Sequence, residues 1–222
     1  MPTSMILTKT MHTMKKFAAI LIFALMSFSS VAEDAAPVEL PPYPQIEVKT
    51  NAGDLRMELF TSKAPLHVRN FVDLVNSGFY DNTIFHRLVG GFVMQGGGYD
   101  TDYKMKTTDK LIPNESGNGL SNRRGFVGMA RTGEPHSADT QFYINLADNV
   151  ALDPRPTRWG YTVFGRITRG MEIIDEIGYR ATGPGPTPDL AKDVPQEPIV
   201  VISMKLVDEA PIETSEAAPE SE

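Results

Sequence analysis

The chain is predicted to fold as a mainly β domain, an antiparallel sheet closed into a barrel or sandwich and accompanied by two helices. Three observations predict it. Short runs of alternating apolar and polar residues recur along the middle of the chain, glycine-rich turns separate them, and only two stretches carry helical spacing. Ile46 to Thr50 and Leu55 to Phe60 alternate with period two around Asn51-Ala52-Gly53-Asp54, which reads as a hairpin. A helix follows, with Ser62 as its cap, Pro65 in its first turn, Leu66, Phe71, Leu74 and Val75 as its apolar stripe, and Ser77-Gly78 as its stop. Strands are expected over Ile84–Leu88, Phe92–Gln95, Gly125–Met129, Gln141–Asn145 and Thr162–Arg166. A second helix is expected from Arg169 to Ile177, capped by Thr168, with Met171, Ile174 and Ile177 on one face and Gly178 ending it. The run Pro198–Val207 reads as a buried strand that completes the sheet, and the proline-rich stretch Thr182–Pro198 before it reads as an extended surface loop.

The ends of the 222-residue chain have a different character. Lys15-Lys16, the uncharged run Phe17–Phe28 and the small residues Ser29-Ser30-Val31-Ala32 have the layout of a secretory signal peptide, expected to be cleaved after Ala32. That run is shorter than the roughly 20 apolar residues needed to cross a bilayer, so no membrane insertion is expected. The expected division is therefore signal peptide 1–32, linker 33–44, folded domain 45–207 and disordered acidic tail 208–222, with the protein in the periplasm. Cleavage would remove Lys9, Lys15 and Lys16 and no acid, leaving 18 Lys and Arg against 28 Asp and Glu, a formal charge of −10. An acid excess of this size argues against a nucleic-acid partner. The absence of cysteine excludes disulfides, thiolate catalysis and cysteine metal sites. A monomer is the expectation.

The segment Phe85–Gly98 carries the chemistry. It places Arg87, Phe92 and Gln95 close together on otherwise apolar sequence, the makeup of a site for a neutral peptide. If it is strand, turn and strand, Phe85 and Arg87 share a face, as do Val93 and Gln95. A second cluster of the same kind lies at Gly128-Met129-Ala130-Arg131 and Gln141-Phe142-Tyr143-Ile144-Asn145. His67, His86 and His136 lack the helical spacing of a zinc site, and His86 reads as a buried, hydrogen-bonded core residue. Gly96-Gly97-Gly98 lacks a phosphate-loop lysine and reads as a turn or a close backbone approach. No metal and no cofactor is expected.

These blocks, with Asp139-Thr140-Gln141-Phe142-Tyr143-Ile144, Leu152-Asp153 and Tyr161-Thr162-Val163-Phe164-Gly165 in order, resemble those of the cyclophilin-type peptidyl-prolyl isomerases, in the bacterial exported branch. The resemblance covers Ile46 to Val207. It implies a closed eight-stranded antiparallel barrel capped by two helices, acting on proline-containing segments of unfolded or exported proteins. It further implies Arg87 as the catalytic arginine with Phe92 and Gln95 beside it. Phe92, Val93, Tyr143, Leu152 and Tyr161 would line the proline pocket, Gln95 and Gln141 would be polar groove residues, and Ala130 and Arg131 would contact the residue before proline. A module that only held such segments would need the pocket but not the arginine. Where the family carries tryptophan or phenylalanine before Leu152, this chain has Ala151, and its only tryptophan, Trp159, falls in a loop. Losing that indole removes a large contact and a hydrogen-bond donor, so cyclosporin should inhibit the purified domain only weakly. Submicromolar inhibition in a titration would overturn that expectation.

Overall fold

Ile46, Val48 and Thr50 alternate with polar residues along strand β1 (Gln45–Thr50), and Leu55, Met57 and Leu59 do so along β2 (Gly53–Leu59). The two strands pair antiparallel from Gln45 opposite Glu58 to Thr50 opposite Gly53, so both apolar rows fall on the same side of the hairpin. The structure, a computed structural model, describes residues 39–207; the expected signal peptide, the start of the linker and the acidic tail lie outside them. Residues 41–44, assigned to the linker by composition, lie along the sheet. The carbonyls of Pro41, Pro42 and Pro44 accept bonds from Thr61 Oγ1, the Thr61 N–H and the Leu59 N–H at 2.7, 3.1 and 2.9 Å. Prolines cannot donate to a ladder, yet their carbonyls extend it past the end of β2.

Helix α1 (Pro65–Asn76) buries His67, Val68, Asn70, Phe71, Val72, Leu74 and Val75. Leu66, expected in the apolar stripe, is instead exposed. The cap also differs from the sequence reading, since Ala64 rather than Ser62 precedes the helix and offers no capping side chain. Glu115, 48 residues along the chain, fills the role: its carboxylate accepts the Leu66 N–H at 3.2 Å and the His67 N–H at 3.0 Å. Because an ionised carboxylate only accepts, the His67 ring donates its Nδ1–H to the same group at 2.6 Å.

Six further strands and a helix follow: β3 (Thr83–Ile84), β4 (Arg87–Val89), β5 (Val93–Gly96), β6 (Phe126–Met129), β7 (Phe142–Asn145), β8 (Val163–Arg169) and α2 (Met171–Gly178). Gly170, in the left-handed region at φ 92°, starts α2; Thr168 and Arg169, expected as cap and first residue, belong to β8. Ile174 and Ile177 are buried, with Met171 packed at the core's edge. The proline-rich stretch is more structured than expected, holding a small ladder of β9 (Thr182–Gly183) and β10 (Val194–Pro195). Leu190 and Val194 bury against Ile84 and Tyr99. In β11 (Val200–Val207), Val201 and Met204 are buried while Ile202 is exposed, so this strand is covered on one face only.

The strands form one antiparallel sheet in the order β3-β11-β1-β2-β8-β6-β7-β5-β4. The implied ring had eight strands closed by pairing, whereas the ladder has nine and is open between β3 and β4. The strand expected over Ile84–Leu88 breaks at Phe85-His86, and its halves are the two edges of the sheet. Covalent continuity brings those edges together, helped by loop bonds from the Phe85 N–H to Ile199 O (2.9 Å) and from the Leu88 N–H to Asp193 O (2.7 Å). Inside the curl, Phe71 contacts Tyr80, Phe142 and Phe164 at ring separations of 5.0, 5.4 and 5.2 Å. Phe85 packs edge-on to Phe142 at 5.8 Å. Each such pair adds about 0.5–1.5 kcal/mol beyond its burial.

The cap of α1 has a pH signature. Burial alone would raise the Glu115 pKa, but the bonds from the His67 ring and from the His67 and Leu66 N–H groups outweigh it, so the carboxyl lies below its ordinary value of 4.5. A depressed carboxyl stabilises fully above its unfolded value and stops doing so as pH falls through its folded one. Glu115→Ala should lower unfolding free energy by about 1–2 kcal/mol at pH 7, the scale of a helix cap. Denaturant melts should show that deficit shrinking below pH 4.5; an equal deficit at pH 7 and pH 3 would contradict this origin.

Candidate active site

A strand that keeps its pleat puts residues two apart on one face, and β5 does so: Val93 and Gln95 both line a concavity on the outer side of the sheet. The Phe85–Arg87 pair does not. Phe85 and Leu88, three apart, both enter the core, and His86 packs on Tyr99 at 4.7 Å outside it. Arg87 then emerges into the concavity, 36% exposed. The expectation that Phe85 and Arg87 share a face fails because the break between β3 and β4 adds one residue to the alternation.

Strand register then sets out a row across the sheet. Arg87 is opposite Gln95, Gln95 is opposite Tyr143, and Tyr143 is opposite Gly128. Arg87 Nη1 faces Gln95 Oε1 at 3.5 Å, the Gln95 amide donates to Gln141 Oε1 at 2.9 Å, and the guanidinium carbon lies 5.9 Å from the Phe92 ring centre. Two glycines make the row possible by close approach. A Cβ on Gly98 would fall 2.5 Å from the Gln141 amide carbon, and one on Gly128 would fall 2.3 Å from the Tyr143 ring.

Phe92, Val93, Tyr143, Leu152 and Tyr161 wall a hollow of about 130 Å³, with Arg87, Gln95, Ala130 and Arg131 at its rim. Drug-sized sites are larger, about 300–1,000 Å³, so this one suits a single small apolar group. Leu152 sits on a short turn (Val150–Leu152), and the Tyr161 N–H returns to its carbonyl at 2.9 Å. Arg131 stacks on Tyr161 at 4.4 Å and is tied to the Gly160 and Trp159 carbonyls at 3.2 and 3.0 Å. Of the ten residues to which the resemblance gave a site role, Gln141 alone lies outside the hollow, behind Gln95 in the neighbouring groove. Ala151 is exposed and lines neither; Trp159 is 47% exposed, edge-on to His136 at 5.2 Å.

Beneath the hollow lies a buried polar network that sequence reasoning missed. The Tyr143 hydroxyl donates to Asn122 Oδ1 at 2.7 Å. The Asn122 backbone and side-chain N–H groups donate to Asp153 at 2.8 and 2.9 Å, and Ser121 Oγ donates to it at 2.5 Å. Burial would raise the Asp153 pKa, but these bonds and Arg123 hold it below the usual carboxylate range. Burial, with Tyr161 and Asp153 nearby, pushes the Tyr143 phenol well above its ordinary range, so it stays protonated. Nothing in the spacing of Asn122, Tyr143 and Asp153 forecasts their meeting; Gly128 was the one local signal, a glycine inside a strand. Burial, then the Arg87 charge, lowers the His86 pKa to about 4 against contacts with the Ile84 backbone and Gln141, so the ring is neutral at pH 7. It is buried as expected, but its Nδ1 has no hydrogen-bond partner. Among the described residues, no group of three or more His, Asp or Glu is placed to hold a metal, and no helix is long and apolar enough to cross a membrane.

Fold and site together define a curled antiparallel sheet with a ring-sized apolar hollow on its outer face and two guanidiniums at the rim, of which that of Arg131 is tied to backbone carbonyls. Residues 45–206 match the family model for cyclophilin type peptidyl-prolyl cis-trans isomerase/CLD. The chain is 48% identical over 159 residues to peptidyl-prolyl cis-trans isomerase A of Dickeya dadantii, covering 71% of this chain and 82% of that one. It is 45% identical over 158 residues to peptidyl-prolyl cis-trans isomerase B of Escherichia coli, covering 70% and 94%. A crystal structure of a cyclophilin-type isomerase from Cryptosporidium parvum superposes with a TM-score of 0.61 at 26% identity, covering 76% of this chain and 99% of that one. The same parasite protein is known in the presence of the dipeptide Ala-Pro, with a TM-score of 0.60. The chain belongs to the cyclophilin-type peptidyl-prolyl cis-trans isomerases and is an enzyme of that class.

Because the Tyr143 hydroxyl points to Asn122, Tyr143→Phe should keep kcat/KM within about threefold while lowering unfolding free energy by about 1 kcal/mol, the scale of one buried hydrogen bond. Prolyl-peptide isomerisation and denaturant melts on the same variant test both parts; a large activity loss would show that the hydroxyl acts on substrate.

Proposed function

We propose that Arg87 stabilises the twisted amide of an X-Pro bond while the proline ring sits in the hollow walled by Phe92, Val93, Tyr143, Leu152 and Tyr161. The observation carrying this reading is the placement of the part-exposed Arg87 guanidinium at the rim of a hollow sized for a single ring, with the neutral Gln95 and Gln141 amides beside it and the other rim cation, Arg131, tied to backbone carbonyls. The reaction asks for little else. Amide resonance imposes a barrier of roughly 18–20 kcal/mol, whereas cis and trans X-Pro forms differ by only about 0.5–1 kcal/mol. An enzyme therefore needs to bind the twisted form better than either planar one.

Twisting ends conjugation and leaves the imide nitrogen pyramidal and more basic. A guanidinium N–H aimed at that nitrogen, or at the proline carbonyl, is worth most at mid-rotation. Arginine suits the task because it stays charged at every working pH and its planar fork is preorganised. The apolar wall fixes the ring while the acyl side turns, and Gln95, itself held by Gln141, sets one edge of the guanidinium. Ala130 and Arg131, at the far rim, face the residue before proline.

The substrates are proline-containing segments of unfolded exported proteins, met in the periplasm by a monomer of the bacterial exported branch. The signal-like run ending at Ala32 supports this location, and the Ala-Pro dipeptide with the parasite relative supports the substrate class. Arg87→Ala should reduce kcat/KM by about 10²- to 10³-fold, comparable to losing one preorganised donor in other enzymes. An isomerisation assay on a proline tetrapeptide, with wild type alongside, tests this, and an unchanged mutant would sink the assignment.

A further inference from the structure

Gln95 holds only one edge of Arg87, and at 3.5 Å it does so at the outer limit of a hydrogen bond. The opposite edge meets a residue from a distant part of the chain. Asp193, in the proline-rich stretch after α2, places its Oδ2 3.8 Å from Arg87 Nε. The same residue grips the arginine's strand through its backbone, since its carbonyl accepts the N–H of Leu88, the residue after Arg87, at 2.7 Å. Asp193 adopts the left-handed region at φ 62°, a conformation that aspartate and asparagine tolerate better than most residues. Its neighbours Leu190 and Val194 are buried, fixing the segment to the barrel. Side chain and backbone of one loop residue thus converge on Arg87 and its strand.

We propose that Asp193 is a positioning residue for isomerisation: it holds the Nε edge of Arg87, and with Gln95 on Nη1 it leaves Nη2 to face the twisted amide. This rests on the reading of Arg87 given above. The contribution is orientation through an ion pair, since 3.8 Å is beyond hydrogen-bond reach. The two side chains are 36% and 30% exposed, so water screens their attraction, and a half-solvated carboxylate does little to weaken the guanidinium as a donor. A long flexible side chain at a groove rim gains more from being held at both edges.

The test uses two substitutions that the backbone accepts. Asp193→Gly keeps the left-handed conformation without strain and removes the carboxylate. Asp193→Asn keeps the tolerated conformation and nearly the same shape while removing the charge. In the full chain, Asp193→Gly should lower kcat by about threefold to tenfold with KM unchanged, the scale of a coupled neighbouring pair. Asp193→Asn removes the charge that acts across 3.8 Å and should lose about as much kcat as Asp193→Gly, whereas Asp193→Glu should keep more of it. Melting temperature should not fall in Asp193→Gly or Asp193→Asn. In an Arg87→Ala background, Asp193→Gly should have no further effect. If Arg87→Ala is impaired but Asp193→Gly is not, or if Asp193→Gly costs as much with Arg87 absent, the positioning role is wrong. If Arg87→Ala keeps full activity, the reading of Arg87 fails, and Asp193 with it.

Discussion

The break between β3 and β4 is the constraint on which the rest of the molecule depends. In an unbroken strand, Phe85 and Arg87 would lie on one side of the sheet, and either the aromatic would leave the core or the cation would enter it. One extra residue in the alternation resolves this. Phe85 completes the aromatic packing around Phe142, Leu88 rejoins the core, and Arg87 emerges on the outside. The break gives up strand pairing at the point where the sheet's two edges meet. Bonds to Ile199 and Asp193 replace part of what the ladder lost, so closure and the exposure of the arginine share one local structure.

The electrostatics of the groove follow from that placement. The protein is acidic overall, with 28 carboxylate residues against 21 basic ones, yet the row across the strands beside Arg87 runs through the neutral Gln95 and Tyr143. Neutral amides can orient a guanidinium without quenching it. Arg131, the second cation at the rim, is committed to the Gly160 and Trp159 carbonyls and to the face of Tyr161. Arg87 is thus the cation left with donors for a ligand, and the chemistry expected of it needs only a donor and a fixed ring.

The apolar wall has a polar foundation. Tyr143 presents its ring to the hollow and its hydroxyl to Asn122, which is also bound to Asp153 directly after Leu152. Two wall residues on different elements are therefore joined through one buried asparagine. Such networks fix geometry when every member is satisfied, and here Asp153 accepts three bonds. Gly128 and Gly98 serve the same end by leaving room where a Cβ would displace Tyr143 or Gln141.

Much of this was legible in the sequence, because alternation and turn residues act locally. Period two marked the hairpin of β1 and β2 and the run of later strands, and the motif blocks brought nine of the residues named in advance to one hollow. Helix starts were legible to within a few residues, but their caps were not. The N-terminus of α1 is satisfied by Glu115 from across the fold, and α2 begins on a left-handed glycine. What the sequence determined by itself was the set of elements, their apolar faces and the arginine with its glutamine. Only the tertiary structure decided which side Phe85 and Arg87 would take, and that Asn122 and Asp193 would reach the site. Those outcomes depend on how the sheet's edges meet and on contacts between residues 106 positions apart, Arg87 and Asp193, and 114 apart, Phe85 and Ile199, and no local pattern encodes them.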